Sequence, residues 1–115
     1  MDISNGVMTL GDVILDFLRD HPESFTTREL WERIPKNGKR LFPAHIQQAL
    51  ERRLFPRGFV LADTGVTYDA RKALVHSSPG TRWCVFSAAQ PGRLIFDPVE
   101  GIHSLEEWEV EYFDR

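Results

Sequence analysis

The 115-residue sequence predicts an α+β fold, with a helical first half, an antiparallel β-meander after it and a helix at the C-terminal end. Three observations carry this. Thr9 with Asp12 and Thr26 with Glu29 are Thr-x-x-acid pairs standing just ahead of apolar residues at helical spacing, the pattern of a capping box. After Arg57-Gly58 the helical spacing gives way to short apolar and aromatic runs that suit strands. Ser78-Pro79-Gly80-Thr81 and Gln90-Pro91-Gly92-Arg93 each place Pro and Gly at the centre of a type II turn, where Pro presets the first backbone angle and Gly tolerates the second.

In chain order, Met1 to Val7 reads as a loose start. The first helix follows Thr9: Leu10, Val13, Ile14, Phe17 and Leu18 form its apolar stripe, Asp12, Asp16, Arg19 and Asp20 its polar side, and Met8 is placed to staple onto Val13. It ends near Asp20-His21-Pro22, and Glu23 to Phe25 make a short extended link. The second helix starts at the Thr26 cap, with Phe25 placed to staple onto Leu30, and runs to about Ile34, where Pro35 forces the preceding residue out of the helical region. A basic connector, Lys36-Asn37-Gly38-Lys39-Arg40, leads to Phe42-Pro43, and Pro43 suits the first turn of a third helix because its missing N–H has no partner there. Ile46, Leu50 and Leu54 mark the buried side of that helix, with Arg53 snorkelling from its edge, while Ala44, His45, Gln48, Glu51 and Arg52 face away.

The second half is read as strands over Phe59 to Ala62, Val66 to Tyr68, Lys72 to Ser77, Arg82 to Ala88 and Arg93 to Asp97, with Thr64-Gly65 turning the first back onto the second. Asp69 to His76 is ambiguous between strand and a turn of helix. Trp83 to Phe86 is apolar without alternation, as in a central strand covered on both faces. Ser104 with Glu107 marks a last helix that puts Leu105, Trp108 and Tyr112 on one stripe, either core over the sheet or a contact for a second copy or another protein.

The composition is that of one soluble globular domain. No run of about 20 apolar residues and no signal-peptide pattern is present, so a cytoplasmic location without membrane contact is expected. The lone Cys84 has no internal disulfide partner, in keeping with a reducing compartment. Net charge is −3, but it is unevenly spread: Arg28 to Arg57 carries +5 and Asp97 to Arg115 carries −6. A basic middle is compatible with phosphate binding and equally with an ordinary solvated face.

Two short helices joined by a basic turn have the outline of a helix-turn-helix. Three helices, the last two so arranged, followed by a strand and a hairpin, resemble the winged-helix superfamily over residues 8–70, with residues 71–115 adding the meander and the acidic helix within a single domain. The resemblance implies a third helix in the major groove and a hairpin wing on the DNA backbone or minor groove. His45, Gln48 and Arg52 would then face the groove, Arg28, Lys36, Lys39, Arg40 and Arg57 would meet phosphates, and a residue near Thr64 would sit at the wing tip. The long connector, the absence of a basic residue at Thr64-Gly65 and the extra C-terminal part depart from the family pattern.

Catalysis is not expected. His21, His45, His76 and His103 are scattered without metal-ligand spacing, Cys84 lies in an apolar strand, and neither a phosphate-cradling glycine loop nor a Gly-x-Ser-x-Gly elbow occurs. No cofactor is implied. The expected function is binding of double-stranded DNA, as a transcriptional regulator or accessory factor. The alternative is a non-enzymatic interaction module, for example a phage or host adaptor or inhibitor, working through the acidic helix or the meander.

Overall fold

The computed structural model describes residues 8–86 and 91–106. The chain is an α+β protein. Helix α1 (Leu10–Asp20) is followed by β1 (Phe25–Thr26), α2 (Thr27–Arg33) and α3 (Pro43–Ala49), which continues into a π-helical turn at Leu50–Leu54. Strands β2 (Val60–Ala62), β3 (Val66–Asp69), β4 (Leu74–Ser77), β5 (Arg82–Val85), β6 (Leu94–Asp97) and β7 (Gly101–Ser104) follow.

Both expected capping boxes form. Thr9 Oγ1 accepts from the Asp12 amide at 3.2 Å while the Thr9 amide donates to Asp12 Oδ2 at 3.0 Å. The Thr26 amide reaches Glu29 Oε1 at 2.9 Å and Thr26 Oγ1 accepts from the Glu29 amide at 3.1 Å. Each box satisfies two amides at a helix entry that have no partner within the helix. Helix α2 stops at Ile34, whose ψ of 150° is the extended value a residue before proline favours. Helix α3 begins with Pro43, and the His45 ring accepts the Phe42 amide proton at Nδ1, 3.0 Å away, in place of a carboxylate.

The π turn corrects the expected face of the third helix. The Phe55 amide donates to the carbonyl of Leu50, five residues back, which widens the turn by about one residue. Leu54 then lies beneath Leu50, Phe55 is also buried, and Arg53 rotates outward beside Arg52 instead of snorkelling from the core edge. Glu51 is corrected in the opposite sense, because it is half-buried and bonded to β4.

The strands do not form a meander. A five-stranded antiparallel sheet runs in the order β1-β5-β2-β6-β7, and β3-β4 is a separate two-stranded ribbon. Thr64-Gly65 therefore does not fold β2 back onto β3; β2 pairs with β5 (Leu61 opposite Cys84) and touches β6 (Ala62 opposite Leu94). The ambiguous segment Asp69 to His76 resolves as the end of β3, a turn over residues 70–73 and most of β4, with Asp69 paired to Leu74. The reason is burial. Val60, Leu61 and Ala62 are all fully buried, so β2 needs a layer on each face and a strand on each side, which an exposed hairpin does not supply.

Those two layers also explain the unalternating run in β5. Val60, Ala62 and Trp83 pack with α1, α2, α3 and Phe55 in the main core, while Leu61, Cys84, Ile95 and Leu105 form a second cluster. Leu105 is thus core and not an open partner contact. Trp108 and Tyr112, with most of the expected last helix, lie outside the described residues. Ile102 and His103 are in strand β7, opposite Phe96 and Ile95.

At the base of the β3-β4 ribbon the Gly65 backbone has φ +83°, and its carbonyl accepts from the Ser78 amide at 2.8 Å. Thr81, 1% exposed, donates its hydroxyl to the Thr64 carbonyl at 3.0 Å. No described helix is long and apolar enough to cross a membrane.

Candidate nucleic-acid interface

The basic connector is a tight turn and not a loose loop. Asn37 and Gly38 both have positive φ, 51° and 76°, and the Lys39 amide closes onto the Lys36 carbonyl at 2.9 Å. An Asn-Gly pair tolerates this geometry because Gly lacks a Cβ and Asn enters the left-handed region more easily than most residues. Trp31 fastens the far side: its indole N–H donates to the Leu41 carbonyl at 2.7 Å. The same ring lies under two cations, with the Arg28 guanidinium 5.4 Å and the Lys36 ammonium 5.2 Å from its centre. Cation–π attraction holds both side chains on the surface with their charge still available to solvent.

Arg40, His45, Gln48 and Arg52, four of the residues expected from the sequence, line one open groove of about 360 Å³ between the connector, the start of α1 and the third helix. Arg53 joins them, and Leu10, Leu41 and Ala49 supply apolar lining. Among the described lining residues none is acidic. Three guanidinium groups with no carboxylate among the described lining residues produce a local positive potential that the net charge of −3 conceals. Lys36 and Lys39 line a neighbouring depression that shares Leu10 and Leu41 with the groove, so the connector's cations continue the same surface. Arg57 is exposed but lines neither depression.

Helix and hairpin are bolted together on the other side of this surface. One Glu51 carboxylate oxygen accepts from the Ser77 amide and hydroxyl, both at 2.7 Å, and from Gln47 Nε2 at 3.1 Å. Gln47 also donates to the Ser77 carbonyl at 3.2 Å. Arg52 and Ala73, the latter in the hairpin turn, line one further depression, which brings the β3-β4 end of the ribbon near the third helix. That turn carries Arg71 and Lys72, both exposed. The Asp69 side chain shapes it by accepting the Arg71 amide at 3.0 Å. The basic hairpin tip is therefore at residues 71 and 72 and not at Thr64-Gly65. Its signal in the sequence is an Asp-Ala-Arg-Lys-Ala segment between two short strands.

Away from the groove, Arg82 is held by the Ser24 carbonyl at 2.7 Å and Glu29 at 3.2 Å, which ties β5 to the start of α2. Glu29 is kept below the usual carboxylate range first by the Thr26 amide and then by Arg82 and Arg33. Among the described residues no group of three His, Cys, Asp or Glu side chains is arranged to hold a metal ion. No family model matches the chain, and no match was found among the curated proteins or the solved structures.

Proposed function

We propose that the chain is a winged-helix protein that binds double-stranded DNA through its third helix and basic connector. The observation that carries this reading is the groove in which Arg40, His45, Gln48, Arg52 and Arg53 converge with no acidic neighbour among its described lining. Element order adds support. In this reading helices α1, α2 and α3 with the strands ordered β1-β5-β2 serve as the winged-helix core, and the β3-β4 ribbon, which follows β2 and precedes β5 in the chain, serves as the wing. In this reading Lys36, Lys39, Arg40 and the two helix arginines neutralise phosphates and set the position on the duplex, while Gln48, with its amide able to pair bidentately with adenine, contributes to the choice of site. Arg71 and Lys72 give the wing the cations that Thr64-Gly65 lacks.

The test is a titration of random-sequence duplex DNA by fluorescence anisotropy at several salt concentrations. Binding should weaken steeply with salt, and Lys39→Ala or Arg40→Ala should each lower the log–log slope by about 1 on every sequence. Gln48→Ala should leave the slope unchanged and relax preference for a selected site. No binding at low salt overturns the reading and leaves the adaptor alternative.

A further inference from the structure

We infer that the groove beside the third helix receives an unpaired base, so that the preferred target is DNA with a single-stranded segment next to the duplex. This rests on the DNA-binding reading above and adds the class of DNA to it. The phosphate contacts proposed there use only charge. They leave unexplained the apolar lining of Leu10, Leu41 and Ala49 and the exposed ring of Phe42 beside His45. Phe42 is 54% exposed, and its ring centre lies 5.7 Å from that of His45, a wall of the groove. A single exposed phenylalanine is ordinary on a protein surface. Here it stands between Arg40 and the helix that carries Arg52 and Arg53, and the combination of cationic groove and exposed aromatic is what single-stranded nucleic acid requires.

The geometry separates the two kinds of DNA. Within a duplex a base offers only its edges, because both faces are stacked on neighbours, so an apolar lining meets at most a thymine methyl and the Phe42 ring has no base face to stack on. An unpaired base exposes a face to the ring, and its own phosphates remain within reach of the arginines. The groove volume of about 360 Å³ lies within the range for small-molecule sites, roughly 300 to 1,000 Å³, so a single base can be accommodated in it. Phe42 is also free to serve, since the cap of α3 uses its backbone amide and not its ring.

Labelled blunt duplex, the same duplex with a single-stranded overhang of about ten nucleotides, and that strand alone are titrated with the full chain at one moderate salt concentration. The overhang should bind roughly tenfold more tightly than the blunt duplex. Phe42→Ala should abolish that difference while leaving blunt-duplex affinity unchanged, and Phe42→Trp should restore it. Circular dichroism and thermal melting of each variant confirm that the fold is intact. Equal binding of blunt and overhang DNA by the unmodified chain, or a preference that survives Phe42→Ala, overturns the inference and leaves the duplex reading standing. Loss of all binding by the unmodified chain overturns both.

Discussion

Glu51 offers the sharpest test of how the hairpin is fixed to the third helix. Glu51→Ala removes three hydrogen bonds to one carboxylate, from the Ser77 amide, the Ser77 hydroxyl and Gln47. Bonds to a charged acceptor are worth about 1.5–3 kcal/mol each when shielded. This site is half-buried, so water replaces part of what is lost, and a net cost of about 2–3 kcal/mol is expected. For a domain of this size that corresponds to a fall in Tm of roughly 10 °C. Urea unfolding followed by circular dichroism reads the free energy directly. Glu51→Gln keeps one oxygen for the Ser77 amide but gives up the charge, and should cost about 1 kcal/mol. A double-mutant cycle with Ser77→Ala isolates the hydroxyl bond and should show coupling of at least ~0.5 kcal/mol. If Glu51→Ala unfolds within ~0.5 kcal/mol of the parent, or the cycle is additive, the carboxylate does not hold the two elements together.

Gly65→Ala should cost more than ~2 kcal/mol in the same assay, because φ +83° is strained for alanine and the new methyl would sit 2.7 Å from Thr81 Oγ1. Glu29 has its pKa lowered from 4.5 by the Thr26 amide and Arg82, so its stabilisation is complete above that value and is lost as pH falls through the lowered one. Glu29→Gln should therefore narrow the gap in stability between neutral and acidic solution, measured as Tm against pH, and an unchanged profile would remove Glu29 from the account. Arg71→Ala with Lys72→Ala should leave Tm within about 2 °C of the parent and reduce the salt slope of DNA binding by up to ~2. A slope identical to the parent's would exclude the hairpin tip from the interface.

The features legible in the sequence are those that local chemistry decides. Thr9 and Thr26 announce their helices because a capping box closes within four residues, and Pro43 sets the phase of the third helix, which is why His45, Gln48 and Arg52 can be grouped in advance. Strand pairing is decided by partners far along the chain. Phe25 and Thr26 form only a two-residue strand, whose existence depends on Trp83 and Arg82. Thr64-Gly65 has the local look of a hairpin turn, and only the need to cover Leu61 and Cys84 as well as Val60 and Trp83 sends β2 to other neighbours. The π turn hides the place of Arg53 from the sequence, since a helical wheel presumes a constant angle per residue. In the sequence Phe42 is only the residue before a helix-starting proline, because its exposure depends on how the connector folds back over Trp31.

The π turn has a consequence for chain length. A helix with one residue too many for its hydrogen-bond ladder is geometrically a regular helix that has absorbed an insertion. Removing Arg52 or Arg53 would let the segment from Pro43 to Phe55 close as an unbroken α-helix with Leu54 still beneath Leu50. What would vanish is the pair of neighbouring guanidinium groups, so the surplus residue can be taken out at little structural cost but not without losing one of the two cations that this stretch of helix presents.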